Sequence, residues 1–218
     1  MKSNCRIDRR TSAAALCLGI ISVCGGCQEM AILWANIQGG ETIDAEFTLT
    51  KQPLLILIDD REGLVTQPRA LRELHATIAE NFIKFDVNNR VIPARELQRL
   101  RQKSERKYDR MTIREVGEKL GADQVLYVRI KRFTVAAEPG APLFKGEFAA
   151  RVKVISTARQ SDVRLWPSEQ SGRLCSASTN PRAMDGEKTA ADIGAELGIR
   201  LGQEIAGLFF EHREFADR

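Results

Sequence analysis

A chain of 218 residues that is 43% hydrophobic and 28% charged carries enough apolar material for one globular domain plus extensions. Its formal charge of +4 overstates the basicity of the folded part, because Lys2, Arg6, Arg9 and Arg10 against Asp8 give residues 1–26 a net +3 and leave +1 for the rest. A near-neutral domain has no global electrostatic attraction for nucleic acid, which argues against nucleic acid as a partner.

The head of the chain has the three parts of a secretory signal. A basic stretch from Lys2 to Arg10 precedes an apolar run from Ala13 to Cys24, and Gly25-Gly26 form a small-residue exit. The run is shorter than the ~20 apolar residues a membrane span needs. Arg9-Arg10 is followed by Thr11-Ser12-Ala13 rather than by the apolar residues twin-arginine export expects, so the general export route is favoured. Val23-Cys24-Gly25-Gly26-Cys27 then resembles the lipobox of bacterial lipoproteins, departing from it at Cys24, where leucine is usual. The resemblance implies cleavage between Gly26 and Cys27, thioether lipidation of Cys27 and acylation of its new amino group. Three chains together anchor a protein stably where one does not. The residue after the cysteine, Gln28, is not the aspartate of inner-membrane lipoproteins, which implies the outer membrane, facing the periplasm. The alternative is an ordinary secreted protein whose cysteines merely fill an apolar segment.

Cys5, Cys17 and Cys24 would leave with the signal and Cys27 would become the anchor. Cys175 remains as a lone thiol, a small buried hydrophobe with no disulfide partner. Residues 27–52 read as a lipid-anchored connector, in which Glu41 to Lys51 alternates weakly, as an edge strand would. A single domain is expected over 53–213, with a tail at 214–218.

Leu54 to Ile58 is apolar at every position and ends at Asp59-Asp60, the pattern of a strand buried on both faces and hence central in its sheet. Pro68 opens a helix with Leu71, Leu74, Ile78 and Phe82 on one face. Arg90 to Ile92 reads as a short second strand, and Pro93 opens a second helix with Leu97 and Leu100 inward. Seven cations between Arg95 and Arg110, interrupted by Glu96, Glu105 and Asp109, read as a solvated face; a patch for acidic lipid or glycan is the alternative. Thr112 and Glu115 have capping-box spacing, Gly121 ends that helix, and Ala122 to Ile130 is a third strand. Phe133–Ala137 and Phe144–Thr157 read as a long hairpin through the Pro139–Pro142 turn, with Phe148, Ala150, Val152 and Val154 inward. Asp162–Trp166 and Arg173–Ser178 read as a shorter hairpin through Pro167-Ser168.

A long helix over Gly186–His212 closes the chain. Ile193, Leu197, Leu201, Ile205 and Leu208 form its apolar stripe, and Ala190, Gly194, Gly198, Gly202 and Ala206 form a row of small residues beside it. Glycines in a helix interior cost ~1 kcal/mol each relative to alanine, so a close backbone approach must compensate. Docking on the sheet is expected, with a partner helix as the alternative. The fold class is therefore α/β (α+β), a three-layer-like mixed sheet, parallel in its first half and antiparallel in its second.

His75 and His212 are the only histidines, and neither has a ligand partner at metal spacing. No nucleophile elbow, phosphate loop or dinucleotide fingerprint is present, and no cofactor is implied. Asp59 and Asp60 are the best polar candidates, because the C-terminal strand edge of an open α/β sheet is where ligands collect. The competing reading is that they cap the turn into Arg61-Glu62-Gly63. Lys131 and Arg132, ending the third strand, are expected near the same edge.

Over roughly residues 53–210 the pattern resembles the α/β module of the TolB N-terminal, CsgG and LpoB-like envelope lipoproteins. The likeness lies in Leu54–Asp59, in Leu120-Gly121-Ala122-Asp123-Gln124-Val125-Leu126 and in the long strands after it. It implies a non-enzymatic, lipid-anchored module that docks on another envelope protein. A periplasmic hydrolase or small-ligand binder using Asp59-Asp60, and a subunit of an oligomeric secretion assembly, are the rival expectations.

Overall fold

The computed structural model describes residues 42–103, 105–137, 143–158, 164–180, 182–183 and 190–213. The signal segment with Gly26 and Cys27, Gln28, the Pro139–Pro142 turn and Gly186 lie outside them. Two compact units divide the chain, Met1–Ile43 with Arg213–Arg218, and Asp44–His212. In the first, the two-residue strand Thr42–Ile43 is described. The second holds the fold.

Its elements are β1 (Leu54–Asp59), α1 (Pro68–Lys84), α2 (Ala94–Lys103), α3 (Glu105–Tyr108) and α4 (Ile113–Lys119), then β2 (Gln124–Ala137) and β3 (Leu143–Ser156). They continue with β4 (Arg164–Trp166), β5 (Arg173–Ser178), β6 (Arg182–Ala183) and α5 (Ala190–Gly207). The mixed α+β architecture is as expected: β1 pairs parallel with β2, and β2 pairs antiparallel with β3. Two cores flank the sheet. On one face Leu54 and Ile56 join Leu74, Ile78 and Phe82 of α1 and Leu197, Leu201 and Ile205 of α5. On the other, Leu55 and Leu57 meet Leu97, Val116 and Val125. Thr112 caps α4 as the spacing predicts: the Glu115 N–H donates to Thr112 Oγ1 at 3.2 Å and the Thr112 N–H to Glu115 Oε2 at 2.7 Å.

Several expectations are corrected. β1 is an edge strand, not a central one. Its unbroken apolar run reflects helices on both faces, and that cover does not require a strand on both sides. The second strand shrinks to one parallel bridge, Leu54 to Val91, in which the Leu54 N–H donates to Arg90 O at 3.0 Å and the Ile92 N–H to Leu54 O at 2.8 Å. Pro93 follows at once and has no N–H to continue the ladder. Residues 124–137 form one strand, with an irregularity between Ile130 and Arg132 that leaves Lys131 unopposed and restores Phe133 to the core face. There it meets Phe148 edge-on, with ring centroids 5.0 Å apart.

The shorter hairpin does not form. β4 and β5 both run antiparallel to β3, Trp166 opposite Val154 and Arg173 opposite Val152, so they lie end to end along one edge, with β6 opposite Leu143 and Phe144. The long outer edge of β3 offers each segment more ladder than they offer each other. Among the described residues the closing helix runs Ala190–Gly207, and His212 stands beyond it, its ring 5.5 Å from Phe210.

The small-residue row docks on α1 rather than on the sheet. A Cβ at Gly198 would meet the backbone of Ala70, one at Gly202 would lie 2.7 Å from Thr77 Cβ, and one at Gly194 would meet the Gln67 side chain. The sheet instead receives the apolar stripe, with Ile193 and Leu197 seated against Gly146 of β3.

Candidate functional site

Asp59 and Asp60 stand at the end of β1, where the edge predicted them, and both carboxylates are engaged. Asp59 is 12% exposed at its side chain, accepts the Tyr127 O–H at 2.5 Å and pairs with Arg61 Nε at 3.3 Å. Tyr127 faces Leu57 across the parallel ladder, which aims its phenol at the strand end. Burial raises the Tyr127 phenol above its ordinary range, and the hydrogen bond to Asp59 with its negative charge raises it further. Asp60 closes the turn: its two carboxylate oxygens accept from the Leu64 N–H at 2.8 Å and the Val65 N–H at 3.0 Å, while its carbonyl accepts from Gly63 at 3.0 Å. Gly63 has φ +63°, a left-handed conformation that suits glycine in this tight return.

Of the cations expected nearby, Arg132 pairs with Glu147 at 2.9 Å on the neighbouring strand. The residue that reaches this end is Arg129, opposite Asp59 in register, with its guanidinium 3.0 Å from Glu62. Only the register reveals it, since Arg129 sits inside an apparently ordinary strand.

Beside the aspartates opens a cleft of about 580 Å³, within the size range of ligand-binding pockets. β1 forms its floor, the Pro68, Leu71 and His75 side of α1 one wall, and Ala94, Leu97 and Gln98 of α2 the other. His75, which has no ligand partner at metal spacing in the sequence, lies in the α1 wall of this cleft. Its Nε2 is buried among these groups with no partner, and burial lowers its affinity for a proton below the ordinary imidazole value. Arg101 leans over the Tyr108 ring, 4.9 Å from its centroid, and its Nη2 lies 3.4 Å from the Ile58 carbonyl oxygen. Elsewhere in the charged region, Arg99 pairs with Glu96 at 2.8 Å on an exposed face.

Cys175 is 2% exposed, and burial together with the charge of Glu204 pushes its thiol up to about 12. Among the described residues no group of three His, Cys, Asp or Glu side chains could hold a metal ion. No described helix is long and apolar enough to cross a membrane. With both aspartates tied down, the cleft is lined by apolar residues of α1 and α2 and by the charged side chains of Arg61, Arg72, Glu105 and Asp109. Such a set suits non-covalent binding.

No protein-family model matches the chain, and no curated protein does. Solved structures overlap it in outline. PelC from Paraburkholderia phytofirmans, a dodecamer, matches at 11% identity and a TM-score of 0.40 over 79% of this chain and 97% of that one. The lipoprotein GNA1162 from Neisseria meningitidis matches at 13% identity and a TM-score of 0.43, over 72% of this chain and 99% of that one. The hypothetical protein CT253 from Chlamydia trachomatis matches at 8% identity and 0.38, over 72% and 96%. At TM-scores below 0.5 these likenesses say nothing about function.

Proposed function

We propose that this chain is a lipid-anchored protein of the cell envelope, held by Cys27 in the outer membrane facing the periplasm, whose domain acts without catalysis by binding another protein. The anchor rests on the lipobox resemblance at Val23–Cys27. The observation that carries the binding reading is the state of Asp59 and Asp60. Their carboxylates serve Tyr127, Arg61 and the Leu64 and Val65 amides, leaving an open cleft rather than a poised acid–base pair beside them. A hydrolase working through Asp59 or Asp60 needs one of those carboxylates within hydrogen-bond reach of a substrate proton or a nucleophilic water.

Two measurements test this. Cys27→Ala moves the protein from the membrane to the soluble fraction; persistence in the membrane would sink the anchor. A photo-crosslinker at exposed Gln98, on the cleft wall, traps a defined partner protein in native membranes. The rival small-ligand reading gains instead if a compound raises the melting temperature of the wild type and fails with Asp59→Asn or Asp60→Asn.

A further inference from the structure

α1 ends in a turn that carries apolar side chains outward. Ile83, Lys84, Phe85 and Asp86 are exposed in succession, between Phe82, which is fully buried, and Val87, which is 8% exposed. Backbone bonds hold the turn closed: the Val87 N–H donates to Phe82 O at 2.8 Å and the Asp86 N–H to Ile83 O at 3.2 Å. Asp86 sits at φ +50°, a conformation its short side chain tolerates. Ile83 is 57% exposed and Phe85 42%, although Phe85 stacks on Phe210 with ring centroids 4.1 Å apart. Of the five large apolar side chains exposed among the described residues, these two share one fixed turn, and neither belongs to a core.

We infer that this turn is a membrane-contact site, resting on the surface of the bilayer in which Cys27 is anchored, with Ile83 and Phe85 entering the headgroup region. This deepens the lipid-anchored reading and rests on it. Two features select a lipid surface as the occupant. The first is where the tether joins the domain. The Glu46 and Phe47 amides both donate to Leu208 O, at 2.9 and 3.3 Å, two residues before Phe210, the ring on which Phe85 stacks. The chain from the anchor therefore enters the domain at the end that carries the turn. Asp44 follows Cys27 by 17 residues, a reach of at most ~60 Å. The bilayer is always within that reach, so a contact too small to hold a free protein becomes an intramolecular one.

The second is the make-up of the turn. An aliphatic and an aromatic side chain flank a lysine, and Lys84 Nζ lies over the Phe85 ring, 5.1 Å from its centroid. Aromatic rings favour the headgroup level of a bilayer, and a lysine beside them keeps its ammonium in water while its methylenes lie along apolar surface. Net charge does not drive the contact. Lys51 pairs with Asp86 at 3.0 Å, and Lys84 and Arg90 are balanced by Glu80 and Glu211 in the same segments. Docking therefore depends on apolar insertion and is the same on neutral and anionic lipid.

The test uses the full lipidated chain with Lys84→Cys carrying a fluorophore, in vesicles of phosphatidylethanolamine with or without phosphatidylglycerol, a fraction of the lipids bearing a spin label at headgroup depth. Cys175, 2% exposed, does not compete for the fluorophore. Fluorescence at position 84 is quenched by the spin-labelled lipid and shielded from aqueous iodide, equally in both lipid mixtures. The same fluorophore on Arg72→Cys, three turns back along α1 and ~18 Å away, shows neither effect. Ile83→Asp, a change outside both cores, moves the docked-to-free ratio about tenfold toward free while the protein still sediments with the vesicles. Protein that sediments without quenching at position 84 overturns the contact and leaves the anchor standing. Shielding from iodide without quenching by lipid assigns the turn to a second copy or another protein surface, and overturns it too. Failure to sediment removes the anchor itself, and this proposal with it.

Discussion

Replacing Gly198 with alanine is the sharpest probe of how α1 and α5 meet. In an open helix the change is stabilising by ~1 kcal/mol, through the difference in helix propensity. Here the added Cβ would fall against the carbonyl oxygen of Ala70, 3.1 Å from its carbonyl carbon and 3.2 Å from Glu73 Cβ. Ala70 is fully buried, and its backbone cannot rotate aside as a side chain could. The helices must separate, loosening the seat of Leu74 and Leu201 in the same core. Overpacking of this kind costs ~1–3 kcal/mol and a backbone obstacle belongs at the top of that range, so the net loss after the propensity gain is ~2 kcal/mol. For a domain of this size each kcal/mol moves the melting temperature by ~2–4 °C, giving a fall of ~4–8 °C. Gly202→Ala, 2.7 Å from Thr77 Cβ, should lose somewhat less. At Gly194 the obstacle is the end of the Gln67 side chain, which can swing away, so the effect should lie within ~0.5 kcal/mol of neutral. Thermal and urea unfolding followed by far-ultraviolet circular dichroism report the series. A Gly198→Ala protein more stable than wild type by ~1 kcal/mol would refute the close helix contact.

Tyr127→Phe removes a hydrogen bond to the Asp59 carboxylate and should cost ~1–2 kcal/mol at neutral pH. Because the folded phenol holds its proton above the ordinary tyrosine range, its contribution is complete below pH ~10 and is lost as pH rises beyond that; the wild type therefore loses more stability than the variant in alkali, as equilibrium unfolding across pH reads directly. His75 runs the other way. Its affinity for a proton is lowered on folding, so the stability it supports is complete above its ordinary value of 6.5 and declines as pH falls below it. His75→Phe should flatten the acid side of the melting-temperature profile, and an unchanged profile would show that the ring is not held neutral by burial.

Local chemistry made much of this fold legible. The capping box at Thr112 and Glu115, the start of α1 at Pro68 and the inward phase of Phe148, Ala150, Val152 and Val154 depend on residues close in the chain, and they stand as read. The misreadings concern partners far apart in sequence. An apolar run such as Leu54–Leu57 records burial and cannot say whether a strand or a helix provides the cover. Arg164–Trp166 and Arg173–Ser178 look like mutual partners because they are neighbours, but the competing edge of β3 is invisible in their composition. The glycine row announced a close contact correctly, but the expected target, the sheet, was wrong, because the row meets α1. At the site, Asp59 and Asp60 were found at the strand end, whereas Arg129, Tyr127 and His75 join them only through register and helix placement.

The α1–α5 contact also sets when the molecule can become itself. α1 lies in the first half of the chain, yet the surface that seals Leu74, Ile78 and Phe82 comes from Ile193 to Ile205, with Phe209 closing edge-on against Phe82 at 5.5 Å. Until those last residues have been made, α1 alone covers that face of the sheet and its own outer side lacks the partner that buries it. Contacts of such long range delay closure, because the intervening chain must be drawn in before they form. A polypeptide built this way completes its core only when its last helix arrives.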